Sequence, residues 1–334
     1  MNLKPRRSWA KYILTAVGLL IFAYLLRRIG LHKIYSHLLR FGPWFLVTCL
    51  IALSWLFCQA VAWWFIQKAF FRRLPLKVLY RIKIISDTFN MILPSANLGG
   101  DAMRVLMIKE DVPIKDGIPG VLFDKTIEAI GALLFLVAGL FLGLVTLKLP
   151  TSLTVPVSIS LGVSAALIVL LVFVQKQGLV ATLTTIGRLV PKARKWVNQH
   201  RNQFVSIDEN FQVLFHHTNT KALPALAFQI LNRLGGVLEV IVIMAVLKSH
   251  MSFIEALFVC TVVTVGNSVF FVLPGQWGVS EGLHVLVLQS LGYPAAIGLS
   301  LAIIRRLRKL AIAGLGLILF ALEKRKSPRR PETA

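Results

Sequence analysis

Acidic side chains are scarce in this sequence. Its 334 residues carry 14 Asp+Glu against 37 Lys+Arg, a formal net charge of +23, and charged residues make up only 15% of the chain. Soluble domains carry about 25% charged residues. With 56% hydrophobic residues and a mean hydropathy of +0.74, the chain is excluded from the water-soluble globular class and reads as a membrane protein. Cysteine is nearly absent. Cys49, Cys58 and Cys260 lie inside apolar stretches with no CxxC spacing, which excludes a disulfide framework and a zinc site. Nothing resembles a nucleotide-binding loop, and neither H-x-x-E-H nor D-x-D occurs. Direct ATP drive and a cofactor are therefore not expected, and no catalytic motif is found, which leaves a membrane-embedded lipid-modifying transferase as an alternative without an identified nucleophile or metal set.

What is abundant is positive charge, and its placement decides its meaning. It falls in short clusters between long apolar runs, the pattern of cytoplasmic loops and lipid contacts. A nucleic-acid binder concentrates it on one face, so no nucleic acid is expected. At the N-terminus Arg6, Arg7 and Lys11 border an apolar run over 12–26, as in a signal peptide. Arg27-Arg28 follow in place of a small-residue cleavage site, so the run reads as an uncleaved first span.

Crossing about 30 Å of hydrocarbon takes roughly 20 apolar residues in a helix. Runs at 10–26, 41–66, 117–147, 153–174, 222–247 and 294–322 meet or approach that length. Two further apolar regions, 84–107 and 253–292, are broken by Pro, Gly and polar residues. The first is too short for two crossings and reads as a re-entrant pair of half-helices, tolerable where protein or a cavity satisfies the freed backbone. The second fits either a re-entrant hairpin or two thin spans. The expected fold is an all-α polytopic membrane protein, with about six transmembrane helices, two Pro/Gly-broken re-entrant helix pairs and a possible inverted repeat. Lys and Arg cluster at 68–83, at 175–221 and in the tail from Lys324, which puts both termini in the cytoplasm. Arg27, Arg28, Lys33 and Arg40 run against that rule. Residues 1–323 form a single integral membrane domain, interrupted by a cytoplasmic amphipathic helical loop at 175–221. Residues 324–334 read as a basic, disordered tail.

The broken segments repeat each other. Asn90 and Leu93-Pro94 lead into Gly99-Gly100-Asp101; Asn267 and Leu273-Pro274-Gly275 lead through Trp277 to Gly278 and Glu281. Each copy has an Asn, an apolar run ending in Leu-Pro, then glycine and one carboxylate. With both termini inside, the first copy enters from the cytoplasm and the second from outside, as in transporters whose paired interrupted segments mark the substrate site. A broken helix leaves amides at a half-helix N-terminus that attract anions. The alternative is that the Leu-Pro punctuation makes two ordinary loops. Trp277, inside the second loop, is placed to pack on an acyl chain or to gate.

Ionisable groups at membrane depth cost about 2.5–3.5 kcal/mol each even on the lenient insertion scale, so each is a candidate. Arg104 follows Asp101 by one turn and reads either as a phosphate ligand or as an interfacial helix end. Asp124 and Glu128, with Lys125, read either as a coupling site or as an ion-pair network that fixes packing. Arg233 and Glu239 share the fifth span, Glu239 nearer mid-depth. Glu281 is the carboxylate expected to face a cavity and pair with an arginine of the last helix. There Arg305, Arg306, Arg308 and Lys309 divide one apolar segment. They either line an anion path or mark a surface between two half-helices. Glu281-x-x-His284 matches half of a di-iron ligand set; no second copy exists, so no metal is expected.

Leu93-Pro94, Gly99-Gly100-Asp101, Arg104, Asp124-Lys125, then L-P-G-x-x-G-x-x-E at 273–281 and Arg306 resemble the lysylphosphatidylglycerol synthase transmembrane-region family. That family includes the YbhN-like proteins and the flippase half of MprF-type proteins. The resemblance implies a multi-pass protein of the bacterial inner membrane that binds or moves phospholipid, anionic or aminoacylated. The soluble aminoacyl-transferase domain of the full synthases is not in this sequence, so synthase activity is not implied. The expected function is a lipid flippase or transporter. The alternative is a non-catalytic subunit or scaffold for a lipid-modifying aminoacyl- or glycosyl-transferase system.

Overall fold

The computed structural model describes residues 39, 41–70, 74–92, 98–177, 201–269 and 278–326. All regular structure among them is helical: α1 (Trp44–Phe70), α2 (Leu76–Ile92), α3 (Leu98–Ile108), α4 (Ile114–Thr146), α5 (Thr151–Gln177), α6 (Arg201–Val246), α7 (Phe253–Val269), α8 (Val279–Ser290) and α9 (Ala295–Lys326). Proline sets several beginnings. Pro75, Pro113, Pro150 and Pro294 each stand immediately before a helix, where a missing N–H costs nothing. Two ends are closed alike. After α6, Lys248 (φ 58) precedes a bond from Ser249 N to the Met244 carbonyl at 2.9 Å, and after α8, Gly292 (φ 88) precedes one from Tyr293 N to the Leu288 carbonyl at 2.9 Å. Both are six-to-one closures around a left-handed residue.

Among the described residues, four helices are long and apolar enough to cross a membrane: Trp44–Gln67, Gly117–Thr146, Thr151–Leu170 and Ala222–Val246. The first expected span, 10–26, lies outside the described residues, as does the end of the tail. The last expected span is one unbroken helix of 32 residues, about 48 Å long, so its cation cluster does not separate two half-helices. Residues 201–221 are continuous with the following span in α6, which passes through Pro224 without a break. The composition boundary at 221 is therefore not a helix end. On α5, Val155, Ile159, Val163 and Leu167 are exposed at four-residue spacing and present an apolar stripe suited to lipid chains.

The helices pair in a pattern that survives exchange of α1 with α6, α2 with α7, α3 with α8 and α4 with α9. The contacts α1–α2, α2–α3, α3–α4 and α2–α9 have the counterparts α6–α7, α7–α8, α8–α9 and α7–α4, while α5 packs on α4 outside the scheme. Directions agree. Trp55 meets Gly235 while Gln59 bonds Asn232 (3.2 Å) and Phe65 stacks on Phe228, so α1 and α6 are antiparallel. Thr88 meets Gly316 and Arg81 lies 3.9 Å from Glu323, so α2 and α9 are too. Gly139 and Gly143 meet Thr261 and Phe258, which makes α4 and α7 the matching antiparallel pair.

Both broken regions are hairpins that return to their own side. In the first, Ile82 and Leu79 of α2 pack with Ile108 and Val112 beyond α3. In the second, the Tyr293 hydroxyl lies 2.8 Å from the His250 carbonyl and 3.2 Å from Glu255 Oε2, closing the far end of α8 onto the start of α7. At 17 and 12 residues, α7 and α8 are about 26 and 18 Å long, short of the roughly 20 residues a full crossing takes, which favours a re-entrant hairpin over two thin spans in the 253–292 region. Burial and the Glu255 carboxylate push the Tyr293 phenol up to about 12, so it stays a donor at any working pH.

Candidate functional site

The glycines of the two motifs have separate structural reasons. At Gly100 a Cβ would fall 2.2 Å from the Ser86 carbonyl, so only glycine lets α3 lie this close to α2. Its N–H donates to Asn90 Oδ1 at 2.7 Å, tying the two arms together beside the break. Gly278 has φ 76, a left-handed conformation natural to glycine, and caps α8. Glu281, in the first turn, accepts the Gly278 N–H at 2.9 Å. The half-helix end proposed as an anion site is thus already held by the chain's own carboxylate. Pro94, Pro274, Gly275 and Trp277 lie outside the described residues.

Beyond each hairpin stands a cluster of charges. In the first, Asp124 of α4 is fully buried and accepts from Arg104 Nη2, also fully buried, with Lys83 Nζ of α2 at 3.3 Å. Arg104 reaches Asp101 at 3.4 Å and lies over the Trp63 ring at 4.0 Å. Lys125 bridges Asp101 (3.7 Å) and Glu128 (3.4 Å). Arg233 of α6 is half-buried. Arg104 is therefore neither an interfacial helix end nor open to a ligand in this conformation. Its charge and planar face are both used.

In the second cluster, Glu239 of α6 is fully buried and holds two arginines of α9: Arg305 Nε at 3.0 Å and Arg308 Nε at 2.8 Å. Arg308 lies over the Trp55 ring at 4.5 Å. Arg306, turned about 100° away on the helix, pairs with Glu281 at 2.8 Å. Glu239 with Arg305 and Glu281 with Arg306 are thus brought together. The Arg305 and Arg306 side chains keep 19% and 16% of their surface accessible.

His284 was considered from sequence only as half of a metal motif. Its Nε2 lies 3.2 Å from Arg305 Nη1. Arginine has only donors, so Nε2 accepts and Nδ1 donates to the Ser280 carbonyl at 2.6 Å. Among the described residues no group of three or more His, Cys, Asp or Glu converges as a metal site. Residues 278–282 also spell G-x-S-x-G, the pattern of a hydrolase nucleophile elbow. That chemistry needs a strand-to-helix turn and a histidine at the serine hydroxyl. Here the imidazole faces the serine's carbonyl and not its hydroxyl. Arg308 was expected only as one of the four cations of the last helix, and Lys83 and Trp63 had no place among the expected site residues. Arg308 was legible from its three-residue spacing to Arg305, whereas Lys83 and Trp63 gave no sequence signal beyond polarity or size.

Among the described residues, both clusters are built from buried, ion-paired guanidiniums and carboxylates. No curated protein and no solved structure matches the chain. The family comparison is positive and covers nearly the whole sequence: the chain belongs to the lysylphosphatidylglycerol synthase TM region family, whose model matches residues 9–316.

Proposed function

We propose that the protein is a lipid transporter, a flippase of the bacterial inner membrane, that carries a phospholipid head group past the Glu281–Arg306 pair while the acyl tails stay in the bilayer. The observation that carries this reading is that pair itself: a buried carboxylate 2.8 Å from a guanidinium that is still 16% accessible, on a re-entrant arm facing a 32-residue helix. Arg306 lies 11 residues into α9, about 17 Å from its start, a position that supports a seat near mid-bilayer. A lipid phosphate that displaces Glu281 from Arg306 exchanges one charge-assisted contact for another, so the head group can pass without leaving the guanidinium unpaired. Arg305 stands beside Arg306, and Arg104 is engaged in the other half. The family supports lipid handling in general, and the paired hairpins support a two-sided path.

The orientation proposed has both termini in the cytoplasm, supported by Lys and Arg at 68–83 and in the tail. No catalytic step is assigned to the chain, and its partners are phospholipids. The reading is tested in proteoliposomes by following transbilayer movement of labelled phospholipids of several head groups. Movement that requires the protein is expected. Equal movement in protein-free vesicles, or none with any head group, would overturn it.

A further inference from the structure

Glu281 is buried, and its two oxygens have separate partners. Oε2 accepts the Gly278 N–H at 2.9 Å inside the cap of α8. Oε1 meets Arg306 Nε of α9 at 2.8 Å, the one cation in ion-pair contact with Glu281 among the described residues. A lipid phosphate that takes Arg306 keeps the guanidinium paired but strips the carboxylate of that countercharge. A buried carboxylate left ionised and unpaired at membrane depth is costly. Asp124, its counterpart in the first half, touches two cations, Arg104 and Lys83, so losing one still leaves the other.

The elements around Glu281 offer no replacement. α8 packs on α7 and α9. On α9, Arg305 and Arg308 are held by Glu239, and Lys309 is exposed one turn beyond Arg306. On α7 the titratable side chains are Glu255, at the far end beside Tyr293, and Cys260, which lies on the Gly236 carbonyl. Residues 270–277 carry none. His284, one turn along α8, has both ring nitrogens engaged, Nδ1 with the Ser280 carbonyl and Nε2 with Arg305. A proton added at Nε2 would set two donors face to face, so the carboxylate is the better base. A metal cation fits poorly, because hard cations take oxygen ligands and the groups that touch Glu281 are N–H donors.

We propose that Glu281 is a proton-binding site and that the proton is carried with the lipid, one on Glu281 Oε1 for each phosphate on Arg306. The inference rests on the lipid-transport reading and adds the ion that drives it. As the Glu281–Arg306 contact opens, a proton from water on the facing side forms an O–H bond at Oε1, and the phosphate closes on Arg306. Oε2 goes on accepting the Gly278 N–H, so the cap of α8 stands throughout. On the other side the O–H bond breaks, the proton returns to water, and the carboxylate reclaims Arg306 and expels the phosphate. Lipid and proton bind together and leave together, each favouring the other by the same factor. Net movement therefore runs from the acidic side to the alkaline side.

The test uses the purified full-length protein in proteoliposomes with labelled phosphatidylglycerol and phosphatidylethanolamine and an imposed gradient of about one pH unit. The wild type is expected to accumulate the lipid it moves in the leaflet on the alkaline side, by about tenfold at one proton per lipid. Collapsing the gradient abolishes the accumulation. Equilibrium binding of the same lipid in detergent is expected to tighten as the pH is lowered from about 8 to about 6, because the lipid-bound state holds the extra proton. In Glu281→Gln the amide stands for the protonated carboxyl, so binding no longer depends on pH and no accumulation occurs. The wild-type response decides the matter even if the variant does not fold. Lipid movement by the wild type that ignores the gradient, or a pH dependence of binding that persists in Glu281→Gln, overturns the proposal and leaves the transport reading standing. No movement of either lipid sinks both.

Discussion

Around Asp124 the carboxylate stands on a long crossing helix, α4, and its guanidinium, Arg104, on the short re-entrant arm α3. Around Glu281 the carboxylate stands on the re-entrant arm α8 and its guanidinium, Arg306, on the long helix α9. The parts are the same and the signs are exchanged. Each half also lays one buried arginine over a tryptophan of α1, Arg104 on Trp63 and Arg308 on Trp55. The halves differ in closure. Arg104 and Asp124 have no accessible surface, whereas Arg305 and Arg306 keep 19% and 16%. A sealed pair flanked by a second cation resists rearrangement. A pair with one accessible member can exchange partners. The first half accordingly reads as the fixed support and the second as the moving contact.

Removing the sealed carboxylate is the hardest way to break this comparison. Asp124→Ala leaves Arg104 and Lys83 buried without their acceptor, and the expected loss is about 3–5 kcal/mol. It is read as a collapsed melting temperature or loss of monodisperse protein in detergent. A variant that melts like the wild type would show that the first cluster is not a support.

Glu239→Ala strands two arginines, but Arg305 is already partly accessible and can find water. The expected loss is about 3 kcal/mol, smaller than for Asp124→Ala by the same thermal measurement. The reverse order would contradict the sealed-versus-open distinction.

Glu281→Gln is predicted to separate stability from function. The amide oxygen still accepts the Gly278 N–H, so the cap of α8 survives and stability falls by only about 1 kcal/mol. The charge that holds Arg306 is gone, and lipid movement is expected to be lost. A protein that unfolds as Asp124→Ala does would make this pair structural as well.

At the small end, Lys125→Ala removes a bridge whose cation is 35% exposed. Stability is expected to change by less than about 1 kcal/mol and transport not at all. A larger loss in either assay would extend the sealed region to the rim of the first cluster.

The membrane class and the breaks were legible because hydropathy and Pro/Gly punctuation are local signals. The motif G-x-x-E was legible for a physical reason: a left-handed Gly278 at a helix start and a carboxylate three residues on form a self-contained cap. The pairing of Glu281 with an arginine of the last helix followed from the shortage of acids at that depth. What the sequence hid is long-range. The two-versus-one split of Arg305, Arg308 and Arg306 is periodic, but Glu239 as the common partner comes from packing of α6 on α9. The continuity of α6 was also obscured, because polar residues at 201–221 suggest a loop where the backbone continues as one helix of 46 residues.

The most direct test of the division between support and moving contact is transbilayer movement of labelled phospholipid in proteoliposomes, comparing wild type, Glu281→Gln, Arg306→Ala and Lys125→Ala. The account predicts movement by the wild type and by Lys125→Ala, and none by the two variants of the second pair, with all four proteins monodisperse before reconstitution. Movement at the wild-type rate in Glu281→Gln and Arg306→Ala would contradict it.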